Sequence, residues 1–332
     1  MATTDAIPVI KVLFALHPGM DAMDFVGPLE VLTHAKHNVS DDCKSFYSSL
    51  MGNDALIFIC HFYHTSHIRS PLFRSSIASA RWELTTSSLA TKAFAASFVS
   101  LTENTVSTQG ASFRAHMDFK EAYTRLNEFD VLVIPGGGTD EILKTKSEPL
   151  GIIRAWSDLQ KKDPNKERTL LSICTGSLFL AQQGILSGLQ ATTHPDYYAK
   201  FEKICSEAAQ RDLAERCDVV EERYVVNNLR FDVGDPEQTP YVRRKSDATR
   251  PPMKRKGSNA WKESNVRRES NARRAALRLG GLRVITSGGI TCGLDSSLYV
   301  VSIMVSEEAA NDVARIMQYE WKKGIVVDGI DI

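Results

Sequence analysis

Arg168-Thr169-Leu170-Leu171-Ser172-Ile173-Cys174-Thr175-Gly176-Ser177-Leu178-Phe179-Leu180-Ala181-Gln182-Gln183-Gly184 is the stretch whose reading decides the fold. Its first half is a short apolar run that reads as a buried strand. Its second half, from Ser177, reads as a covered helix closed by glycine. Cys174 therefore lies on a tight turn between strand and helix, a nucleophile elbow that lifts a side chain above the sheet edge. The helix that follows aims backbone N–H groups at the sulfur, and the expectation is a thiol pKa below its ordinary value. A buried cysteine is more often only structural, but the glycine two positions on and the open strand end favour a functional thiol here.

The same grammar recurs on both sides. Pro8 to Leu16 is a buried first strand ending in His17-Pro18-Gly19, and Asp24-Phe25-Val26-Gly27-Pro28-Leu29-Glu30-Val31-Leu32 reads as a helix capped by Asp24 and continuing to about His37. Phe129 to Ile134 is another strand and stops at Pro135-Gly136-Gly137-Gly138. Arg283 to Thr286 is a further one, followed by Ser287-Gly288-Gly289, with helices expected over Asp295 to Ala310 and Asn311 to Lys323. Strands alternating with helices predict a single α/β domain over 1–332, a parallel sheet with both faces covered in a three-layer sandwich.

Two stretches interrupt the pattern. Residues 48–103 show no sustained period, so they read as an irregular insertion or as sequence from a misread gene boundary. Residues 236–278 read as a basic flexible insertion, since Arg243 to Arg278 holds thirteen basic residues against three acidic ones. Across all 332 residues the charges balance, 40 basic against 40 acidic, so no global field recruits nucleic acid. Apolar runs such as Leu298 to Val305 are far shorter than the ~20 residues that span a bilayer, and the N-terminal stretch lacks the pattern of a secretory signal. The expected setting is the cytosol, with no membrane partner.

The 6 cysteines, at positions 43, 60, 174, 205, 217 and 292, form no CxxC pair, which argues against a disulfide framework or a zinc knuckle. His61, His64 and His67 share one helical spacing, but no carboxylate or cysteine orders them, and no metal site is expected. The remaining candidates gather around Cys174. Gly137 and Gly138 have N–H groups that could join the Thr175 N–H in an oxyanion hole. Asp24 can reach the same rim, although its simplest role is the helix cap. His194, in Ala191-Thr192-Thr193-His194-Pro195, suggests a thiolate–imidazolium pair, although a lone histidine is more often a surface or satisfied core residue.

Asp24-Phe25-Val26-Gly27-Pro28, Pro135-Gly136-Gly137-Gly138, Ile173-Cys174-Thr175-Gly176, Thr192-Thr193-His194 and Ser287-Gly288-Gly289-Ile290-Thr291-Cys292-Gly293-Leu294-Asp295 together resemble the ThiJ/PfpI superfamily, and within it the isonitrile hydratase branch. The resemblance implies a flavodoxin-like, class I glutamine amidotransferase-like fold and a homodimer that takes a small-molecule substrate without a cofactor. It implies that Cys174 attacks the isonitrile carbon, that Asp24 handles the proton, that Thr175 helps to orient carboxylate or substrate, and that water releases an N-substituted formamide. Two alternatives stay open: a glyoxalase III or deglycase activity on methylglyoxal, and a non-catalytic cysteine redox sensor of the same fold. The shorter Asp24, where the glyoxalase branch usually has glutamate, favours the hydratase.

Overall fold

The computed structural model describes residues 8–37, 91–229, 275 and 277–328. Its strands are β1 (Ile10–Ala15), β2 (Lys36–His37), β3 (Thr91–Lys92), β4 (Phe94–Ser100), β5 (Asn104–Val106), β6 (Ser112–Arg114), β7 (Met117–Asp118), β8 (Val131–Ile134), β9 (Thr169–Ser172), β10 (Gln190–Ala191), β11 (Asp218–Val219), β12 (Tyr224–Asn228), β13 (Arg283–Ser287) and β14 (Ile325–Asp328). Helices are α1 (Ala22–His34), α2 (Phe119–Arg125), α3 (Asp140–Thr145), α4 (Leu150–Lys162), α5 (Gly176–Gln182), α6 (Tyr198–Arg211), α7 (Cys292–Met304) and α8 (Glu307–Ile316).

The main sheet has the order β14-β12-β13-β9-β8-β1-β4-β7. Its pairings are parallel from β13 through β9, β8, β1 and β4 to β7, and only β12 runs antiparallel to β13. Alternation along each strand divides the core. Val12, Phe14, Val131, Val133, Leu171 and Ile285 face a layer containing α1, α7 and α8. Leu13, Leu132, Ile134, Leu170 and Val284 face the opposite layer, where Trp156 of α4, Phe179 of α5 and Phe201 of α6 are fully buried. The three-layer α/β sandwich expected from the sequence is the fold observed. After β1 the chain builds outward through β4 and β7, then returns to place β8 on β1's other side. The β1/β8 boundary is thus a topological switch point, where the carboxyl ends of strands open a crevice.

Three sequence expectations need correction. Residues 94–100, placed in the irregular insertion, form β4, which pairs in register with all of β1 from Ile10↔Phe94 to Ala15↔Val99. Phe-Ala-Ala-Ser-Phe-Val-Ser carries small residues where a buried strand usually carries branched ones, which hides it. The rest of that insertion up to residue 90 lies outside the described residues, as do His61, His64 and His67. Of the stretch read as a basic flexible insertion, residues 236–274 and 276 lie outside the described residues, and its last residues pack on the domain. Ala275 and Leu279 are buried, and Arg278 donates to the carbonyls of Gly184, Ile185 and Ser187 at 2.9–3.0 Å. Finally, the helix expected over Asp295–Ala310 breaks after Met304, where Ser306 caps α8 by accepting from Ala309 N–H, and α8 ends at Ile316 rather than at Lys323. Among the described residues no helix is long and apolar enough to cross a membrane.

Candidate active site

The elbow forms as the sequence predicts. Cys174 sits between β9 and α5 with φ +57°, a left-handed conformation that a non-glycine residue adopts only under constraint. The constraint is visible: its N–H donates to the carbonyls of Ser287 (3.1 Å) and Gly288 (3.0 Å) beyond β13, and Thr193 Oγ1 donates to its carbonyl at 3.2 Å. Gly176 must be glycine because a Cβ there would lie 2.5 Å from the Ile134 carbonyl oxygen. Cys174 as a residue is 6% exposed, so only a narrow group can reach it.

Asp24 is brought to this thiol, but not as a helix cap. The cap of α1 is Asp21, whose side chain accepts from Met23 N–H, and Asp24 falls in the first turn, fully buried. One carboxylate oxygen accepts from Gly136 N–H at 3.1 Å across the β1/β8 switch point. The other, Oδ1, is buried without a full hydrogen bond; the Cys174 thiol and the Ile290 N–H lie close enough to favour its charge. Burial, reinforced by the charge of Asp21, outweighs them and pushes the carboxyl up to about 7.

The expected depression of the thiol pKa is reversed. Burial and the facing Asp24 charge push Cys174 up to about 12, against the pull of the Thr175 and Ile290 N–H groups. The helix behind the elbow has only 7 residues, and its end field is too weak to win. One proton therefore leaves the Asp24–Cys174 pair near neutrality, and the second is held to high pH. Around pH 7 and above the pair carries one proton and one negative charge, which makes it a nucleophile with a proton relay attached.

The glycine N–H groups expected to form an oxyanion hole are committed elsewhere. Gly136 serves Asp24, Gly137 donates to Thr175 Oγ1 at 2.8 Å, and Gly138 donates to the Gly19 carbonyl at 2.7 Å. Thr175 returns the bond, its hydroxyl donating to the Gly137 carbonyl at 3.0 Å, so it fastens the β8 loop to the elbow. The N–H groups that do act on the sulfur belong to Thr175 and Ile290. His194 does not pair with Cys174. Its Nδ1 accepts from Asp196 N–H at 3.2 Å, and its ring lies so close to Gly289 that a Cβ there would sit 2.4 Å from Cδ2.

Sequence reading missed three contributors. Ile290, at φ +43°, turns its N–H toward both Asp24 and Cys174, and no residue-type signal marks it. Arg223 secures that turn: its guanidinium meets the buried Asp295 at 2.5 Å and reaches Tyr319 Oη at 3.3 Å, while Tyr319 donates to the Thr291 carbonyl at 3.2 Å. His17 bridges the ends of β1 and β8, with Nε2 3.2 Å from the Pro135 carbonyl oxygen and Nδ1 3.1 Å from that of Pro18. Burial lowers its pKa and keeps the ring neutral. A histidine directly after an apolar strand was the available signal for it.

Residues 74–228 match the DJ-1/PfpI family. A segment of 69 residues, 21% of this chain, is 35% identical to Protein DJ-1 homolog D of Arabidopsis thaliana, and that segment covers 16% of the relative's length. Solved structures that align with this chain include Drosophila melanogaster DJ-1beta, at 14% identity and a TM-score of 0.48 over 95% of this chain and 100% of that one. A THiJ/PfpI family protein from Pseudomonas syringae aligns at 18% identity and a TM-score of 0.46 over 97% of this chain and 85% of that one.

Proposed function

We propose that this chain, which carries a DJ-1/PfpI family domain, is a cofactor-independent hydratase that converts an isonitrile and water to an N-substituted formamide. The observation that carries the reading is the buried Asp24 carboxyl, poised near 7 against a thiol held protonated to about 12. An isonitrile carbon accepts a nucleophile readily only as it takes up a proton. In the one-proton pair, the thiol proton passes through Asp24 to that carbon as Sγ bonds to it, giving a thioimidate, R–N=CH–S–Cys174. Asp24 is then a carboxylate. It takes a proton from water as the hydroxyl adds to the same carbon and passes that proton to the nitrogen; the C–S bond then breaks as the hydroxyl proton moves through Asp24 to sulfur, leaving R–NH–CHO and the thiol. The sum is one isonitrile plus one water. The Thr175 and Ile290 N–H groups stabilise sulfur as its charge rises at either end of the cycle.

Two features favour this over a carbonyl substrate. A terminal isonitrile carbon is slender enough for a buried cysteine, Cys174, of which little is exposed. And the histidine that a glyoxalase-type mechanism would pair with cysteine, His194, is held against Gly289. The expected form is a homodimer in the cytosol acting on a small molecule. Incubating the purified chain with an aryl isonitrile should yield the formamide, and Cys174→Ser should yield none, since a serine hydroxyl without a strong base is a poor nucleophile. A chain inert to isonitriles that consumes methylglyoxal would replace this reading with the glyoxalase one.

A further inference from the structure

A second concave site lies at the far end of the helix that begins beside Cys174. The cleft, of about 420 Å³, is bounded by the end of α5 at Gln182 and Gln183, by α4, by the end of α6 and by Arg278. The length of α5 alone separates it from the elbow by about 10 Å. Four elements each bring a cation to it: Lys146 after α3, Arg154 on α4, Arg211 at the end of α6, and Arg278.

The charges in this cleft do not cancel. Arg211 has Asp212 at 2.7 Å. Arg154 and Arg278 also act on Asp212, so three guanidinium groups converge on one carboxylate and hold its pKa down. Arg278 spends its hydrogen bonds on the three carbonyls beyond α5, and burial lowers its pKa against the pull of Asp212. Lys146 and Arg154 are exposed and make no ion pair among the described residues. Lys161, the remaining cation, is matched by Asp158 at 3.0 Å. Gly184, at φ +71°, is what lets Asp212 sit there, since a Cβ would lie 2.4 Å from its Oδ2.

We propose that this cleft binds a small molecule bearing one or two phosphoryl groups, with the anion beside Asp212 where the arginine field is in excess. Forked guanidinium groups match phosphoryl oxygens in pairs, and the Gln183 amide adds a neutral donor. The site is independent of the chemistry at Cys174.

Titration calorimetry of the whole chain with inorganic pyrophosphate tests it. The unaltered protein should show saturable one-to-one binding. The exposed pair of substitutions Lys146→Gln and Arg154→Gln should weaken it at least about tenfold. Lys36→Gln with Lys120→Gln, an equal charge change outside the cleft, should leave it unaltered, and Cys174 alkylation should be the same in all three proteins. Absence of saturable heat overturns the proposal. Equal affinity in the two double variants also overturns it, and assigns the anion to another basic stretch such as Arg243 to Arg278.

Discussion

Two aspartates occupy equivalent places in the two helices that pack on one another beside the sheet. Asp24 lies in the first turn of α1 and Asp295 in the first turn of α7; both are fully buried, and each neighbours a cysteine, Cys174 and Cys292 respectively. Their partners differ. Asp295 has a guanidinium at 2.5 Å and the Lys322 N–H at 2.8 Å on its other oxygen. Asp24 has one backbone N–H and an oxygen without a full hydrogen bond. Burial alone therefore does not decide what a carboxylate does. A matched cation makes it a fixed strut, and the lack of one leaves it a proton carrier.

Removing the cation from the first of these should give the largest effect. Arg223→Gln leaves the buried Asp295 without its cation, and unfolding free energy at pH 7 should fall by about 3 kcal/mol or more, read from a urea midpoint. A loss below about 1 kcal/mol would mean that Asp295 is held by its other partners and that the contrast is overdrawn.

Asp24→Asn removes the titrating proton and should slow turnover of an aryl isonitrile by roughly 100-fold or more. The alkylation rate of Cys174, which should rise through about pH 7 in the parent, should lose that step in the variant. A variant that keeps both the rate and the step would end the relay mechanism.

The same substitution should stabilise the fold above neutrality. In the unfolded chain Asp24 titrates at its ordinary value of 3.8, and in the folded chain at about 7. The folded state thus binds the extra proton between those values, and stability falls as pH rises from about 4 to about 7. Asparagine has no such dependence. Its advantage should be small at pH 5 and grow to on the order of 2 kcal/mol at pH 8, less than the full displacement implies because its NH₂ must also be buried.

Asp21→Ala should give the smallest change and separates cap from site. Losing the cap should cost about 1 kcal/mol. Losing the Asp21 charge should also move the midpoint of the Cys174 alkylation profile below about 7, since that charge is one cause of the raised Asp24 value. A midpoint that stays in place would leave burial as the whole cause.

What the sequence disclosed and what it withheld follow one physical line. β1, β8, β9 and β13 were legible because strands buried on both faces are continuous apolar runs, and the elbow because glycine must follow where backbone crowds backbone. β4 was not, because its alanines and serines are recognisable as core only once β1 lies beside them. Asp24 was found as a residue but given the wrong first role, since Asp21 and Asp24 are equally good caps on paper. Gly137 and Gly138 were expected to supply oxyanion-hole N–H groups, but where an N–H points is fixed by Thr175 and Gly19, from distant parts of the chain. Arg223 was invisible for the same reason: its meaning lies in Asp295 and Tyr319, and no spacing links them.

The short ladder between β2 and β3 matters beyond its four residues. Lys36 pairs with Lys92 and His37 with Thr91, so residues 37 and 91, far apart along the chain, lie on adjacent strands. Whatever is spliced between those two points, the ends meet at the same doorway. The entropy of closing a loop there grows only with the logarithm of its length, roughly 0.6 kcal/mol per doubling. The domain thus has a place where sequence can be gained or shed at little thermodynamic penalty, at the end of α1 away from the turn that holds Asp24.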